Sequence, residues 1–237
     1  MLPNNDIINQ VTNLNNHIHT VHLEGFCRDL KVTRPTSVSS SKHIALFNQC
    51  LIEYFELNIG SIQVLETVAP PWPITHLALL PCDVLDRVFT LWSACIFSSD
   101  LIKYIGKNEI SIIKNCLSEN YEWLILPNEF KYEHPKNNLI DIKNKLFEID
   151  NKTPITLNSL INEYFIDTFI IGVYSLSENW PHIYKDLIRL KTPKNISTIN
   201  EKMIRDSYLF LEPRITQTLL ICLEKVSPKW HEKFSEN

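Results

Sequence analysis

Four residues near the N-terminus have the side-chain types that bind transition metals. His17, His19 and His22 form an HxHxxH pattern, and Cys27 follows five residues later. Imidazole and thiolate groups are the usual protein ligands of zinc. The spacing fits none of the common zinc modules, however, and no second pair of ligands follows downstream. We therefore predict a polar, weakly ordered segment here, with metal binding by these four residues as the less favoured alternative.

Two carboxylates are the best candidates for acid–base chemistry. Asp83 and Asp86 stand three residues apart, which places them on one side of a helix. Acidic residues are also common at helix N-termini because they complement the helix dipole, and we favour that interpretation. The sequence contains no GxSxG, HExxH, GxxxxGK[ST] or GxGxxG motif. We accordingly predict no catalytic residue, no metal, no cofactor and no enzymatic activity.

Composition limits the remaining classes of function. The 237 residues carry a net charge of −4 with no polybasic run, which argues against binding to nucleic acids or to an anionic membrane surface. With only four glycines, phosphate-cradling loops are not expected. Six cysteines without a CxxC pair are typical of buried, reduced thiols in a cytosolic protein. Neither a secretory signal nor an apolar run of membrane-spanning length is visible, so we expect a soluble cytoplasmic protein.

These candidate groups are set among helical patterns, of which the stretch from Leu79 to Leu126 is the strongest. Its apolar residues recur at helical spacing over a face wider than a surface helix needs. The residues in question are Val84, Leu85, Val88, Phe89, Leu91, Trp92, Cys95 and Ile96. This predicts a central helix buried on several sides, followed by short helical pieces that Gly106 interrupts.

The fold class that follows is all-α: an irregular multi-helix globular domain built around the central helix. Val64–Ala69 is either a minor extended segment or a turn. Gly172, inside one of the predicted helices, indicates close packing of another helix. We predict a polar N-terminal extension over residues 1–41 and a helical domain over 42–237, with possible sub-lobes at 42–135 and 154–237. The other predicted helices cover Lys42–Ile59, Leu157–Leu176, Pro181–Leu190 and Ser197–Val226, the last divided near Pro213.

Three stretches of the chain together resemble one protein family. The central run LALLPCDVLDRVFTLWSACIFSSDLIKYIGKNEISIIKNCLSENYEWLIL resembles the core of the YscK-like (SctK, OrgA) proteins of bacterial type III secretion systems. The C-terminal run SYLFLEPRITQTLLICLEKVSPKWHEKF is similar to the tail of that family, where a leucine-rich helix ends in V-x-P and an aromatic residue. FNQCLIEYFEL corresponds in position to the family's N-terminal Phe-Asn…Tyr segment. The resemblance covers roughly two thirds of the chain and rests on hydrophobic patterns.

The resemblance implies a non-catalytic adaptor in the sorting platform of the injectisome, a bacterial virulence apparatus. Such an adaptor lies at the cytoplasmic face of the inner membrane. It links the cytoplasmic domain of the inner-membrane ring protein (SctD-like) to the pod protein (SctQ-like) and the ATPase complex. We expect a monomer in isolation that meets the membrane only through the ring. Trp230 and Phe234 are the predicted partner-binding residues, because aromatic anchors dominate many interfaces.

Two alternatives from other functional classes stay open. A secreted effector or a secretion chaperone is compatible with the Asn- and Ser-rich N-terminus, which has the composition of some secretion signals. An enzyme with an unrecognised site would be favoured by a deep polar pocket in which histidines and carboxylates converge.

Overall fold

Every regular element in the described part of the chain is a helix. The computed structural model describes residues 10–57, 74–125, 156–177, 180, 182–192 and 215–235. No strand occurs within these ranges, which confirms the all-α class. The predicted extended segment Val64–Ala69 lies outside them. None of the described helices combines the length and the apolarity that crossing a membrane requires.

The helices are numbered in chain order. They are α1 (Thr20–Leu30), α2 (Ser41–Tyr54), α3 (Cys82–Ile96), α4 (Ser98–Leu101), α5 (Lys107–Leu117), α6 (Asn120–Ile125), α7 (residues 157–177), α8 (His182–Leu190), α9 (residues 215–226) and α10 (Pro228–Ser235). Two short 3₁₀ helices cover Leu14–Asn16 and Ile74–Leu79, and α7 contains a π-helical turn at Leu160–Tyr164.

The described residues divide into two compact units. Unit 1 is drawn from Met1–Cys82 and Ser177–Asn195, and unit 2 from Asp83–Leu176 and Ile196–Glu236. Neither unit is continuous in sequence, because the chain returns to unit 1 for α8 after forming most of unit 2. This division differs from the predicted sub-lobes at 42–135 and 154–237. The physical reason is that α8 packs against the 3₁₀ helix Ile74–Leu79, a pairing that local sequence patterns do not reveal.

Aromatic side chains of α1 and α2 pack together in unit 1. Ser40 caps α2 by accepting a hydrogen bond from the His43 N–H at 3.3 Å. Phe26 on α1 meets the ring of Phe47 on α2 edge-on, with 5.2 Å between the ring centroids. Tyr54 makes a second edge contact with Phe26 at the same centroid distance. Such edge-to-face pairs add specific geometry to the burial of apolar area.

The N-terminal segment is not the polar extension expected from its composition. Residues 10–12 and 20–30 are helical, and five of the segment's apolar side chains are buried: Val11, Leu14, Ile18, Leu23 and Phe26. The 3₁₀ helix Leu14–Asn16 also contacts α2, where the Asn15 N–H donates to Asn48 Oδ1 at 2.9 Å. The prediction failed because the surrounding asparagines and histidines masked apolar residues spaced three to five positions apart. Residues 1–9 lie outside the described part.

Unit 2 contains the buried central helix that the sequence predicts. Helix α3 begins at Cys82, one residue after Pro81, and its side chains are buried on several sides from Val84 onwards. Trp92 is completely buried, and its indole Nε1–H donates to Thr218 Oγ1 on α9 at 2.7 Å. This hydrogen bond satisfies the only polar group of the tryptophan, which makes its full burial energetically acceptable.

At Gly172 on α7, side chains of another helix pack closely against the backbone, as predicted. A Cβ atom at this position would lie 2.7 Å from Trp92 Cζ3 and 3.0 Å from Phe89 Cε1. The neighbouring Phe169 stacks on Phe89 with 4.2 Å between the ring centroids. The side chains on α3 therefore occupy the space that a larger residue on α7 would need.

This contact predicts opposite effects for the same substitution at two helical glycines. Gly172→Ala is expected to lower the free energy of unfolding by about 1–2 kcal/mol, because overpacking against two buried rings outweighs the better helix propensity of alanine. Gly25→Ala on α1 is the matched control, because a Cβ there would meet no atom within 4 Å. We expect Gly25→Ala to raise stability by about 0.5–1 kcal/mol. Urea unfolding of both variants measures the difference, and two changes of the same sign would contradict the close approach at Gly172.

Candidate functional site

The predicted partner-binding residues lie on the last described helix. Trp230 and Phe234 belong to the segment after Ser227, which forms α10 (Pro228–Ser235). Trp230 is half-buried, and its backbone N–H donates to the Ser227 carbonyl at 3.0 Å. The side chain of Phe234 lies outside the part that the structure describes. The role of both residues in partner binding stays a prediction.

The N-terminal histidines make contacts that organise unit 1. His19 caps α1, because its Nδ1 accepts a hydrogen bond from the Val21 N–H at 3.2 Å. His22 Nε2 lies 3.1 Å from the Thr192 carbonyl oxygen. The backbone carbonyl of His17 accepts a hydrogen bond from the Cys82 thiol at 3.3 Å. These contacts tie residues 17–22 to two distant segments, so the segment is not the loosely held one that was predicted.

Metal binding by this segment finds no support in the geometry. Among the described residues, no group of three or more His, Cys, Asp or Glu side chains is arranged to hold a metal ion. Burial lowers the pKa of His17, and the nearby Lys191 charge acts in the same direction. The pKa of His19 is lowered by burial and by His22, and the pKa of His22 by burial. Their lowered pKa values favour the neutral form of the three imidazoles, and their contacts give them a structural role.

A lysine that the sequence did not single out occupies the centre of a polar cluster in unit 1. Lys191 follows the last residue of α8 and is fully buried. Its Nζ donates to Gln10 Oε1 at 2.8 Å and to the backbone carbonyls of Ala78 and Leu80 at 2.6 and 2.7 Å. The Gln10 amide donates in turn to the Leu79 carbonyl. We call Lys191, Gln10 and these three backbone groups the lysine cage.

The lysine cage is suited to holding chain segments together and not to catalysis. An ammonium group has three protons, and all three have acceptors here. Burial lowers the pKa of Lys191 to about 7, while Cys82 acts in the opposite direction. A lowered pKa is a property of catalytic lysines, but this amine is inaccessible to solvent. Its contacts instead join the N-terminal segment, the 3₁₀ helix Ile74–Leu79 and the end of α8.

The two carboxylates of α3, Asp83 and Asp86, have the surroundings expected of acidic residues near a helix N-terminus. Asp83 is exposed and lies 4.0 Å from Arg87 Nη2, a weak surface ion pair. Asp86 is partly buried, and burial together with the Asp83 charge raises the pKa of Asp86 to about 6. Such a carboxyl group can exchange protons near neutral pH, but neither aspartate lines the cleft described next.

A small cleft lies beside α3 in unit 2. Its volume is about 70 Å³, whereas sites for small-molecule ligands usually measure about 300–1,000 Å³. Its lining residues are Arg87, Thr90, Leu91, Cys116, Leu117, Ser118, Glu119 and Asn120. This lining includes one carboxylate and no histidine. The cleft therefore lacks the convergent groups that the enzyme alternative requires.

The cysteines differ in their surroundings. All six are free thiols, and only Cys95 and Cys222 are fully buried. The sulfur atoms of these two lie 4.0 Å apart, and burial and the Cys222 contact raise the pKa of the Cys95 thiol. Cys50 is exposed, contrary to the expectation of buried thiols, because it lies on the outward face of α2. The other three cysteines are partly buried: Cys27, Cys82 and Cys116.

Three large apolar side chains are exposed among the described residues of unit 2. Ile102, Ile105 and Ile112 are 59%, 80% and 43% exposed, and we call them the isoleucine corner. The sequence predicts a helical turn from Asp100 through Ile105 that Gly106 ends. Instead α4 ends at Leu101, and Gly106 begins α5 as its N-cap. Ile102 and Ile105 therefore lie between the two helices, whereas Ile112 lies on α5.

Comparison of the chain with protein-family models, with curated proteins and with solved structures finds no match in any of the three. The geometry of the described residues and the resemblance of the sequence patterns are therefore the basis for a functional conclusion.

Proposed function

We propose that this protein is a non-catalytic adaptor of a type III secretion sorting platform, acting at the cytoplasmic face of the inner membrane. In this role it links the cytoplasmic domain of the SctD-like ring protein to the SctQ-like pod protein and the ATPase complex. One observation carries the proposal: the central and C-terminal runs, each similar to the same family, share one core in unit 2.

The contacts between the two runs are specific. Trp92 on α3 donates a hydrogen bond to Thr218 on α9 across 126 positions of sequence. Cys95 and Cys222 approach to 4.0 Å one turn further along the same pair of helices. Two hydrophobic patterns far apart in sequence belong to one core when their helices pack together. The pairing puts both runs that resemble the family in the same core.

The distribution of exposed apolar side chains also suits an adaptor. An adaptor needs separate surfaces for its partners, and each unit has exposed large hydrophobic residues of its own. Unit 2 has the isoleucine corner. Unit 1 exposes Val21, Leu30, Val32, Val38, Leu46 and Tyr54. Single exposed apolar residues are common on protein surfaces, so the grouping matters more than any one of them.

An affinity purification from the native host tests the proposed function. The tagged protein, expressed from its own locus and cross-linked before lysis, is expected to recover the pod protein, the ring protein and the ATPase. An untagged strain and a strain without the pod gene are the controls. Recovery of none of the three platform proteins would overturn the proposal. Release of the chain into the culture medium would then favour the effector, and recovery of one secreted substrate alone would favour the chaperone.

A further inference from the structure

Helix α1 is capped by a side chain whose ability to accept a hydrogen bond depends on its protonation. His19 occupies the N-cap position with extended backbone angles, and its Nδ1 accepts a hydrogen bond from the Val21 N–H at 3.2 Å. The usual N-cap residues are Ser, Thr, Asp and Asn, whose oxygen atoms accept hydrogen bonds throughout the neutral pH range. An imidazole nitrogen accepts only while it carries no proton. His19 can therefore cap α1 only in its neutral form, with the ring proton on Nε2.

The residues around this cap also attach α1 to the end of α8. The backbone N–H of His19 donates to the Leu190 carbonyl at 2.8 Å. The ring of His22 contributes a second contact, because its Nε2 lies 3.1 Å from the Thr192 carbonyl oxygen. Leu190 and Thr192 stand on either side of Lys191, the centre of the lysine cage. A change at His19 therefore acts directly on the attachment of the N-terminal segment to α8.

A positive charge on His19 has mostly unfavourable surroundings. The N-terminal end of α1 carries the positive end of the helix dipole, which repels a cation. Burial lowers the pKa of His19, His22 acts in the same direction, and Glu24 acts in the opposite one. At the end of α8, the Lys191 charge adds to the effect of burial in lowering the pKa of the neighbouring His17. Protonation of His19 thus costs the folded protein a hydrogen bond and adds an unfavourable charge.

The hydrogen bond of His22 responds to protonation in a different way. The partner of its Nε2 is a carbonyl oxygen, which can only accept, so Nε2 carries a proton and donates. Protonation of His22 adds a proton at Nδ1 and leaves the hydrogen bond to Thr192 in place. Burial lowers the pKa of His22, and this hydrogen bond acts against the effect of burial. Of the two histidines, His19 is the one whose hydrogen bond is lost in acid.

We propose that the start of α1 is an acid-sensitive joint, at which protonation of His19 removes the helix cap and loosens the attachment of residues 17–22 to the end of α8. In the unfolded chain the pKa of a histidine is about 6.5. Because the pKa of His19 is lower in the folded protein, the unfolded chain binds this proton first as the pH falls. The contribution of the cap to stability is therefore complete above about pH 6.5 and is lost as the pH falls through the folded-state pKa. The joint does not depend on the proposed adaptor function.

A pH titration of the ¹⁵N-labelled full chain by NMR tests the joint. At about pH 8 the ring ¹⁵N shifts of His19 are expected to show a proton on Nε2 and none on Nδ1. As the pH falls to about 5, the Val21 amide proton should shift with the same midpoint as the His19 ring, because it loses its acceptor. Over this range the protection factor for hydrogen exchange of the position-19 amide, which donates to Leu190, should fall about fivefold.

Two matched variants separate the cap from the other histidine. His19→Asn keeps a good N-cap that does not titrate, so the Val21 shift and the loss of protection should both disappear. His22→Gln keeps a donor for the Thr192 carbonyl and should retain both responses. A proton on Nδ1 of His19 at pH 8 would overturn the proposal in the unmodified protein alone, and so would a Val21 response that persists in His19→Asn. An unchanged protection factor at position 19 of the unmodified protein would overturn the loosening of the attachment to α8.

Discussion

Replacing Lys191 with methionine is expected to lower the free energy of unfolding by about 3 kcal/mol at pH 9. Methionine fills much of the same volume but supplies no donor to Gln10 or to the carbonyls of Ala78 and Leu80. A buried acceptor that loses its partner costs about 1–3 kcal/mol. Urea unfolding followed by circular dichroism measures the loss. Lys42→Met, at an exposed position on α2, is the matched control and should change stability by less than about 0.5 kcal/mol.

The effect of Lys191→Met should also depend on pH, with a sign set by the lowered pKa. In the folded protein the pKa of Lys191 is about 7, whereas in the unfolded chain it is about 10.4. Between these values the unfolded chain binds a proton that the folded protein has released, so stability rises with pH. The variant lacks this contribution. The difference in the free energy of unfolding between the unmodified protein and Lys191→Met should therefore decrease by about 2 kcal/mol from pH 9 to pH 7.

Comparing the two proteins at each pH cancels the titration of the groups that do not interact with Lys191. His17 and Cys82 do interact with it, so the change in the difference reports the titration of Lys191 together with these two neighbours. A gap of the same size at both pH values would show that Lys191 keeps an ordinary pKa. No gap at pH 9 would show that the lysine cage does not stabilise the fold.

Trp92→Ala should cost about 3–5 kcal/mol, because the side chain is completely buried and its removal leaves a large cavity in unit 2. Trp92→Phe is the matched variant: it keeps an aromatic ring and loses the donor to Thr218. We expect Trp92→Phe to cost about 1–2 kcal/mol. Equilibrium urea unfolding tests both, and a loss below about 1 kcal/mol for Trp92→Ala would falsify the central position of this residue.

Thr218→Val extends the test to the other side of the hydrogen bond. Alone it should cost about 1 kcal/mol, since the Trp92 N–H loses its acceptor. The double variant Trp92→Phe/Thr218→Val should lose less stability than the sum of the two single losses, because both substitutions remove the same hydrogen bond. Strict additivity would mean that the hydrogen bond does not contribute to stability.

Helix positions were largely predictable from the sequence because helical periodicity is local. The apolar pattern of α3 predicted both the helix and its burial on several sides. The glycine inside α7 predicted the close approach at Gly172. Each inference needed only residues within a few turns of one another, for which the spacing of side chains is set by helix geometry. The parts of the pattern around Pro213 and Val64–Ala69 lie outside the described residues.

The candidate sites were not predictable in the same way. Lys191 follows an amphipathic helix, a position at which lysines are commonly exposed. It is buried here because Gln10, Ala78 and Leu80, which are distant in sequence, surround its ammonium group. Composition suggested that residues 1–41 were peripheral, yet several of their apolar side chains form part of unit 1. Trp230 and Phe234 were chosen as aromatic residues that follow a helix end, and their role stays a prediction.

The sequence by itself determined the helical class, the central helix and the absence of known catalytic motifs, because these depend on residue type and short-range spacing. Only the tertiary structure decided which polar groups are buried together and which apolar groups are left in solvent. The lysine cage joins residues 181 positions apart. The isoleucine corner is exposed because no described element covers it. Both depend on which distant elements meet, and that information is spread over the whole chain.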